Sequence, residues 1–275
     1  LKLLSPAERL AEPRGPKVLI AGVNGVGKTS LLRTVSREAL ARTLLVDAEA
    51  GDLAIQDREV ASVRPRLWSA CRDLACAIGG PNQALSPSAP YSEAHYQAVI
   101  ADPVMASLPQ YEILFVDSLT EISRQCRVWA EQQPESFTDR GKKDLRGTYG
   151  LVARELIAWL RQIQHVREKT VILVAILERV EDDFGQKEWR LQLEGRRTAR
   201  ELPGIIDEVI TMHWCSFSDS DKPVRAFVCT NPNPWQVPAK DRSGRLDQLE
   251  PPDLGKLLAK LALSPPEPAQ GGPET

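Results

Sequence analysis

PKVLIAGVNGVGKTSLLRTVSREALARTLLVDAEAG, residues 16–51, decides the fold. Residues 18–21 form an apolar run closed by Gly22, short enough to be a buried strand. Leu31, Leu32 and Val35 follow at helical spacing, and TLLVD at 43–47 is a second buried run. Strand, glycine loop, helix, strand is a βαβ unit, so the economical architecture is α/β: a mostly parallel sheet with helices on both faces. Further apolar runs at 111–117 (YEILFVD), 170–177 (TVILVAIL), 207–214 (DEVITMHW) and 225–230 (RAFVCT) supply more strands. Between them Val152, Leu156, Leu160 and Ile163 place one helix on that sheet.

The bulk numbers narrow the function classes. With 275 residues, 42% of them hydrophobic, the chain can bury one large core. Its 35 Lys and Arg against 37 Asp and Glu give a net charge of −2, so any nucleic-acid contact needs a local basic patch. No apolar run reaches bilayer length, and residues 1–15 (LKLLSPAERLAEPRG) put acids and prolines where a signal peptide is apolar, so the expected location is the cytosol. Cys71, Cys76, Cys126, Cys215 and Cys229 lack the two-residue spacing of a zinc knuckle and read as buried thiols. His213 and Cys215, two apart in a strand, share a face rather than a metal.

Three stretches read as loops: 77–92, rich in Pro, Gly and Ser, and the long charged segments 133–149 and 180–204. Residues 264–275 (SPPEPAQGGPET) have little to bury and read as a disordered tail, with 1–15 an N-terminal extension and 16–263 the core.

The chemistry starts at GVNGVGKT. Gly22, Val23, Asn24, Gly25, Val26 and Gly27 form a loop whose backbone N–H groups can curl around phosphate oxygens. Lys28 reaches the β and γ phosphates, Thr29 ligates Mg²⁺, and Ser30 is the last of this run of candidate nucleotide-binding residues. The strand 111–117 ends in Asp117, suited to hold Mg²⁺ through water. Ser118, not a second acid, follows it, so the carboxylate that activates water must come from elsewhere. Glu49, just past the strand at 43–47, is the candidate; the plain alternative is that Asp47 and Glu49 cap the next helix. Glu178, ending the strand that starts at 170, is a candidate γ-phosphate sensor.

The ordered set GVNGVGKT, LLVDAEAGD, ILFVDS, GTYGLVARELIAWLRQIQ, TVILVAI and AKDRSG resembles the RecA-type recombinase core, and within it the small phage-encoded RecA-like ATPases linked to single-strand annealing. The resemblance runs from about residue 16 to residue 263. It implies a RecA-like P-loop NTPase fold, ATP and Mg²⁺ as cofactors, and Glu49 as catalytic base. It also implies single-stranded DNA as partner, assembly into a homo-oligomeric ring or filament, and a single-strand-binding protein as a further partner, in a bacterial host's cytosol. The segments 133–149 and 180–204 fall where that family keeps two DNA-contacting loops, carrying Lys142, Lys143, Arg146, Arg190, Arg196, Arg197 and Arg200, with Phe184 and Trp189 placed to stack on bases. The plain alternative for both is a solvated charged surface. Two departures stand out: Glu178 replaces a neutral polar sensor, and the second loop also carries Glu181, Asp182, Asp183, Glu188 and Glu194.

The family resemblance further implies that a late hairpin delivers cations to a neighbouring subunit's nucleotide, and Lys240 and Arg242 in AKDRSG have that form. In an extended segment they point to one target while Asp241 points away. The alternative is an exposed charged hairpin. Other readings of the whole chain are a P-loop switch or kinase without DNA, and a scaffold that uses ATP only to assemble. A signalling GTPase is disfavoured, because PAKDRSG lacks the asparagine and final acid of a guanine-reading motif.

Overall fold

β1 (Lys17–Gly22) is buried at every position, which a strand achieves in mid-sheet with both faces covered. The structure, a computed structural model, describes residues 3–181, 185–216 and 222–262. The short helix α1 (Pro6–Ala11) precedes β1. After the glycine loop come α2 (Arg37–Ala41), β2 (Thr43–Asp47), β3 (Ala61–Val63), α3 (Trp68–Gly79), α4 (Glu93–Ile100), α5 (Pro103–Ser107), β4 (Ile113–Asp117), α6 (Leu119–Ala130) and α7 (Leu145–Gln164). The chain continues through β5 (Thr170–Glu181), β6 (Lys187–Leu191), α8 (Arg196–Ile205), β7 (Glu208–Cys215), β8 (Val224–Val228), β9 (Lys240–Asp241), β10 (Leu249–Glu250) and α9 (Leu254–Ala262).

The strands lie in the order β10-β8-β7-β1-β5-β4-β2-β3, with β6 on β5 and β9 on β7. From β3 to β7 all pairings along that order are parallel; β8 and β10 add antiparallel strands at one side. This is the expected α/β architecture, a mostly parallel sheet flanked by helices. One consequence positions the site: β5 is inserted between β1, which feeds the glycine loop, and β4, which ends in Asp117.

Alternation along the strands divides the core in two. Leu19, Leu173 and Val116 point to the side covered by α3, α6 and α7, where Trp68 and Trp159 are fully buried. Val18, Ile20, Phe115 and Ile210 point to the other side, packed under Leu31, Leu32 and Leu40 and against Leu254, Leu257 and Leu261 of α9.

Four local expectations are corrected. Leu31, Leu32 and Val35 are buried as expected, but the segment Thr29–Thr34 is a 3₁₀ helix that stops at extended Val35, and Ser36 caps a separate α2. Ser36 offers the chain a side-chain hydrogen bond that competes with helix continuation. Residues 77–79 belong to α3, so the first loop is shorter than 77–92. The segment 133–149 is a tight turn closed by a Phe137–Lys143 bridge, followed by α7, whose N-cap is Asp144. The segment 180–204 is not a loop for most of its described length: β5 runs on to Glu181, β6 returns antiparallel beside it, and α8 begins at Arg196. Its charged residues occupy exposed faces of regular elements, which hides the hydrophobic alternation.

The extension 3–15 buries no residue of α1, and Glu12 and Arg14 pair with Arg167 (3.2 Å) and Asp207 (2.9 Å) of the core. Asp182, Asp183, Phe184, Leu263 and the tail 264–275 lie outside the described residues. Among the described residues no helix is long and apolar enough to cross a membrane.

Candidate functional site

The parallel strands β1, β2, β4 and β5 end at one edge of the sheet, the edge where ligands bind in open α/β folds. Gly25 and Gly27 stand there at φ 73° and 97°, a backbone region that favours glycine and lets the loop from Gly22 to Lys28 double back. Lys28 is 9% exposed and donates to the carbonyls of Gly22 and Val23, both at 2.9 Å. Burial lowers its pKa, while Asp117 and Glu49 act to raise it. Its ammonium is therefore held inside the loop, between the two carboxylates and the phosphate cradle.

Thr29 Oγ1 donates to Asp117 Oδ2 at 2.5 Å. The expected pair of Mg²⁺ ligands is thus brought together, across the inserted strand β5. Asp117 is buried, and burial pushes its pKa up to about 6; the hydrogen bond from Thr29 and the charge of Lys28 oppose this, while Glu49 and Asp47 add to it. The donor set fits Mg²⁺: a hydroxyl and one carboxylate are hard oxygens, and this ion completes its shell with water and substrate phosphates. Among the described residues no cluster of three or more His, Cys, Asp or Glu could hold a metal without such help. His213 instead packs edge-on against Trp189, and the five cysteines are buried and free.

Glu49 reaches the same place through β2. Asp47 and Asp117 are register partners, and the N–H groups of Ala48 and Glu49 donate to the Asp117 carbonyl at 2.7 and 3.3 Å. Ser118 Oγ donates to Glu49 Oε1. In the sequence Ser118 reads only as the absence of a second acid; the approach of Glu49 across β2 and β4 is what gives its hydroxyl a partner. Glu49 itself is exposed at the mouth of the site. Asp47 accepts from the N–H of Gly51 at 2.9 Å and so takes the local turn-capping role. Glu178 lies on β5 two residues past Ile176, the register partner of Gly22, and accepts from Gln192 Nε2 at 3.2 Å.

The candidate DNA contacts fall in two classes. Lys142, Lys143 and Arg146 are exposed at the start of α7, and Arg196, Arg197 and Arg200 are exposed on α8. Tyr149, Gly150 and Ala153 line a cleft together with Leu193, Arg196 and Arg197. Each helix is followed by a strand that starts at the opposite edge, so both begin near the phosphate edge. The second class is engaged within the chain. Trp189 packs under Arg179 (5.8 Å) and against His213 (5.7 Å), as the cross-strand neighbour of Arg179. Arg190 pairs with Glu188, and Arg197 also reaches Glu201 at 2.7 Å. Phe184 lies outside the described residues.

Lys240 and Arg242 do face one target, as their spacing predicts, but that target lies in their own chain. Lys240 Nζ donates to the carbonyls of Pro203 (2.5 Å) and Ile206 (2.7 Å) at the end of α8. Arg242 donates to the carbonyl of Gly204 (3.0 Å) and pairs with Asp207 (2.8 Å). Cations at a helix C-terminus satisfy its last carbonyls and its dipole. Because β9 pairs with Glu208 and Val209 at the start of β7, the pair sits at the edge opposite the glycine loop. Asp241 does not point idly away: it accepts from the N–H groups of Gly244 and Leu246, both at 2.9 Å, and shapes the turn.

A residue with no sequence signal completes the loop. Arg225, on β8, donates from Nη1 to the carbonyl of Val26 at 3.1 Å. Nothing in residues 225–230 aims that guanidinium at a loop two hundred positions earlier.

A family model described as an AAA domain matches residues 14–243. Among solved structures, the chain is similar to a KaiC-like protein from the hyperthermophilic archaeon Pyrococcus horikoshii OT3, at 15% identity over 78% of each chain with a TM-score of 0.38. It is also similar to the RadB recombinase, at 12% identity over 78% of this chain and 81% of that one, again with a TM-score of 0.38. No curated protein matches the chain in sequence.

Proposed function

The chain belongs to the AAA-domain family, and on that premise we propose that it is an ATP- and Mg²⁺-dependent ATPase that works on single-stranded DNA in phage recombination or replication, as a homo-oligomer. The observation that carries the ATPase reading is the convergence of Lys28, Thr29, Asp117 and Glu49 at one sheet edge. Lys28 and the loop N–H groups bind the phosphates, while Thr29 and Asp117 would hold the ion, which supplies charge neutralisation for phosphoryl transfer. Glu49 then orients and deprotonates the attacking water, with Ser118 fixing its carboxylate. Support for the DNA reading comes from Lys142, Lys143, Arg146, Arg196 and Arg200, exposed near that same edge.

One observation favours a second reading, a P-loop switch or kinase without DNA: Trp189, Arg190 and Arg197 are taken up by contacts within the chain. Steady-state ATP turnover, measured with and without single-stranded DNA, separates the two. Stimulation by DNA supports the first reading. Turnover indifferent to DNA, with no DNA binding at low salt, favours the second; absence of ATP binding by folded protein rejects both.

A further inference from the structure

Trp214 stands half in water at the end of β7, with 50% of its surface exposed, whereas Trp68 and Trp159 are each 1% exposed. A single exposed aromatic is unremarkable by itself; its place in the sheet is not. β7 runs parallel to β1 with Ala21 opposite Thr211, so Met212 lies level with Gly22, and Trp214 extends two residues, about 6–7 Å, beyond it on the phosphate edge.

Its face follows from alternation. Met212 and Phe227 pack with Val26, Leu31 and Leu32 beneath the glycine loop, while Cys215 and Ala226 pack on the opposite side. Trp214, two past Met212, and Arg225, two before Phe227, therefore project on the glycine-loop side, and they are register partners on neighbouring strands. Arg225 reaches far enough to hold the Val26 carbonyl. Its Nη1 would lie 2.6 Å from any Cβ at Gly27, so the guanidinium abuts the phosphate loop directly.

The strand order gives the direction of a bound triphosphate. Asp117 and Glu49 lie on the β4–β2 side of β1, whereas β7 and β8 lie on the other. A nucleotide whose γ-phosphate points to Asp117 and Glu49 has its α-phosphate and nucleoside toward β7 and β8. Resting on the nucleotide-binding reading above, we infer that Trp214 stacks on the base of that nucleotide, and that Arg225 positions the loop that holds its phosphates. Trp214 is then the specificity contact for a nucleoside over a bare polyphosphate, since an indole face offers any base a stacking partner.

Calorimetric titrations of Mg·ATP and of Mg·tripolyphosphate into the full chain test this. The expected result for Trp214→Ala is an ATP affinity lower by about tenfold to a hundredfold, the scale of losing one base–aromatic stack, with tripolyphosphate affinity unchanged. Trp214→Phe should keep most of the ATP affinity. Arg225→Ala should weaken both ligands alike, with Arg225→Lys restoring part of the loss, because its effect passes through the loop. Thermal melts without ligand report folding of each variant. Equal ATP affinity in folded Trp214→Ala and parental protein overturns the stacking role, as does an equal loss for tripolyphosphate. If the parental protein binds neither ligand, the nucleotide reading itself fails.

Discussion

Thr29 and Asp117, 88 positions apart, meet at 2.5 Å, joining the first residue after the P-loop lysine to the last residue of β4. The carboxylate in that pair is buried and carries charge at a cost. Asp117→Asn keeps the shape and removes the charge. The expected outcome is loss of Mg²⁺-dependent ATP hydrolysis by about a hundredfold or more, with the metal-free melting temperature at neutral pH unchanged or raised. A lower melting temperature would mean the carboxylate serves the fold rather than the ion.

The same group sets a pH dependence. An Asp whose folded-state pKa is raised to about 6 binds its proton more tightly when folded, so this residue disfavours the folded state as pH rises from about 4 through 6. Ion binding needs the carboxylate. Stabilisation of the protein by Mg·ATP should therefore appear as pH rises through about 6, read as the ligand-induced shift in melting temperature from pH 5 to 8. The shift in Asp117→Asn should be small and flat; a flat profile in the parental protein would remove Asp117 from the ion site.

Lys28→Ala is expected to abolish nucleotide binding or turnover, because the β and γ phosphates lose the loop's cation. Glu49→Gln should bind Mg·ATP nearly as the parental protein does and hydrolyse it about a hundredfold more slowly, the usual scale for losing a general base. Ser118→Ala frees the Glu49 carboxylate without removing it, and should slow turnover less than Glu49→Gln. Parental turnover in Glu49→Gln would leave that residue as part of a turn only.

Lys240→Ala strips the donor from the carbonyls of Pro203 and Ile206, and the expected cost is about 1–3 kcal/mol of stability, read by denaturant unfolding. Arg242→Ala should cost less, since its side chain is 41% exposed. The trans role that the family resemblance implies makes a different prediction. In that case either variant melts normally, fails to turn over ATP, and recovers activity when co-assembled with Glu49→Gln. The observed contacts favour the first outcome.

For nucleic acid, joint replacement of Arg196, Arg197 and Arg200 by Ala should weaken single-strand binding and flatten its salt dependence. Each lost phosphate contact lowers the log–log slope by about 0.7. An unchanged slope would place DNA on another surface.

What is legible in the sequence depends on how local the cause is. The P-loop is legible because glycines, lysine and threonine act within eight positions, and β4 because an apolar run ends abruptly in an acid. The Lys240–Arg242 alternation correctly reports two side chains sharing a face, yet periodicity carries no information about what lies opposite; the carbonyls that end α8 became the target only through tertiary packing. The hairpin of β5 and β6 is obscured because both faces beyond the sheet edge are wet, so polar residues occupy positions that alternation would make apolar. Arg225 and Trp214 acquire meaning only from strand order, which places β8 beside β7 and β7 beside the glycine loop.

The twelve residues of β5 form one uninterrupted strand, about 40 Å long. Its first half is hydrogen-bonded to both β1 and β4, and its last five residues form one arm of the hairpin. The hairpin therefore continues, without a break in the strand, into the segment that separates β1 and its glycine loop from β4 and Asp117. The arm and the phosphate edge are thus parts of one strand, with no loop between them.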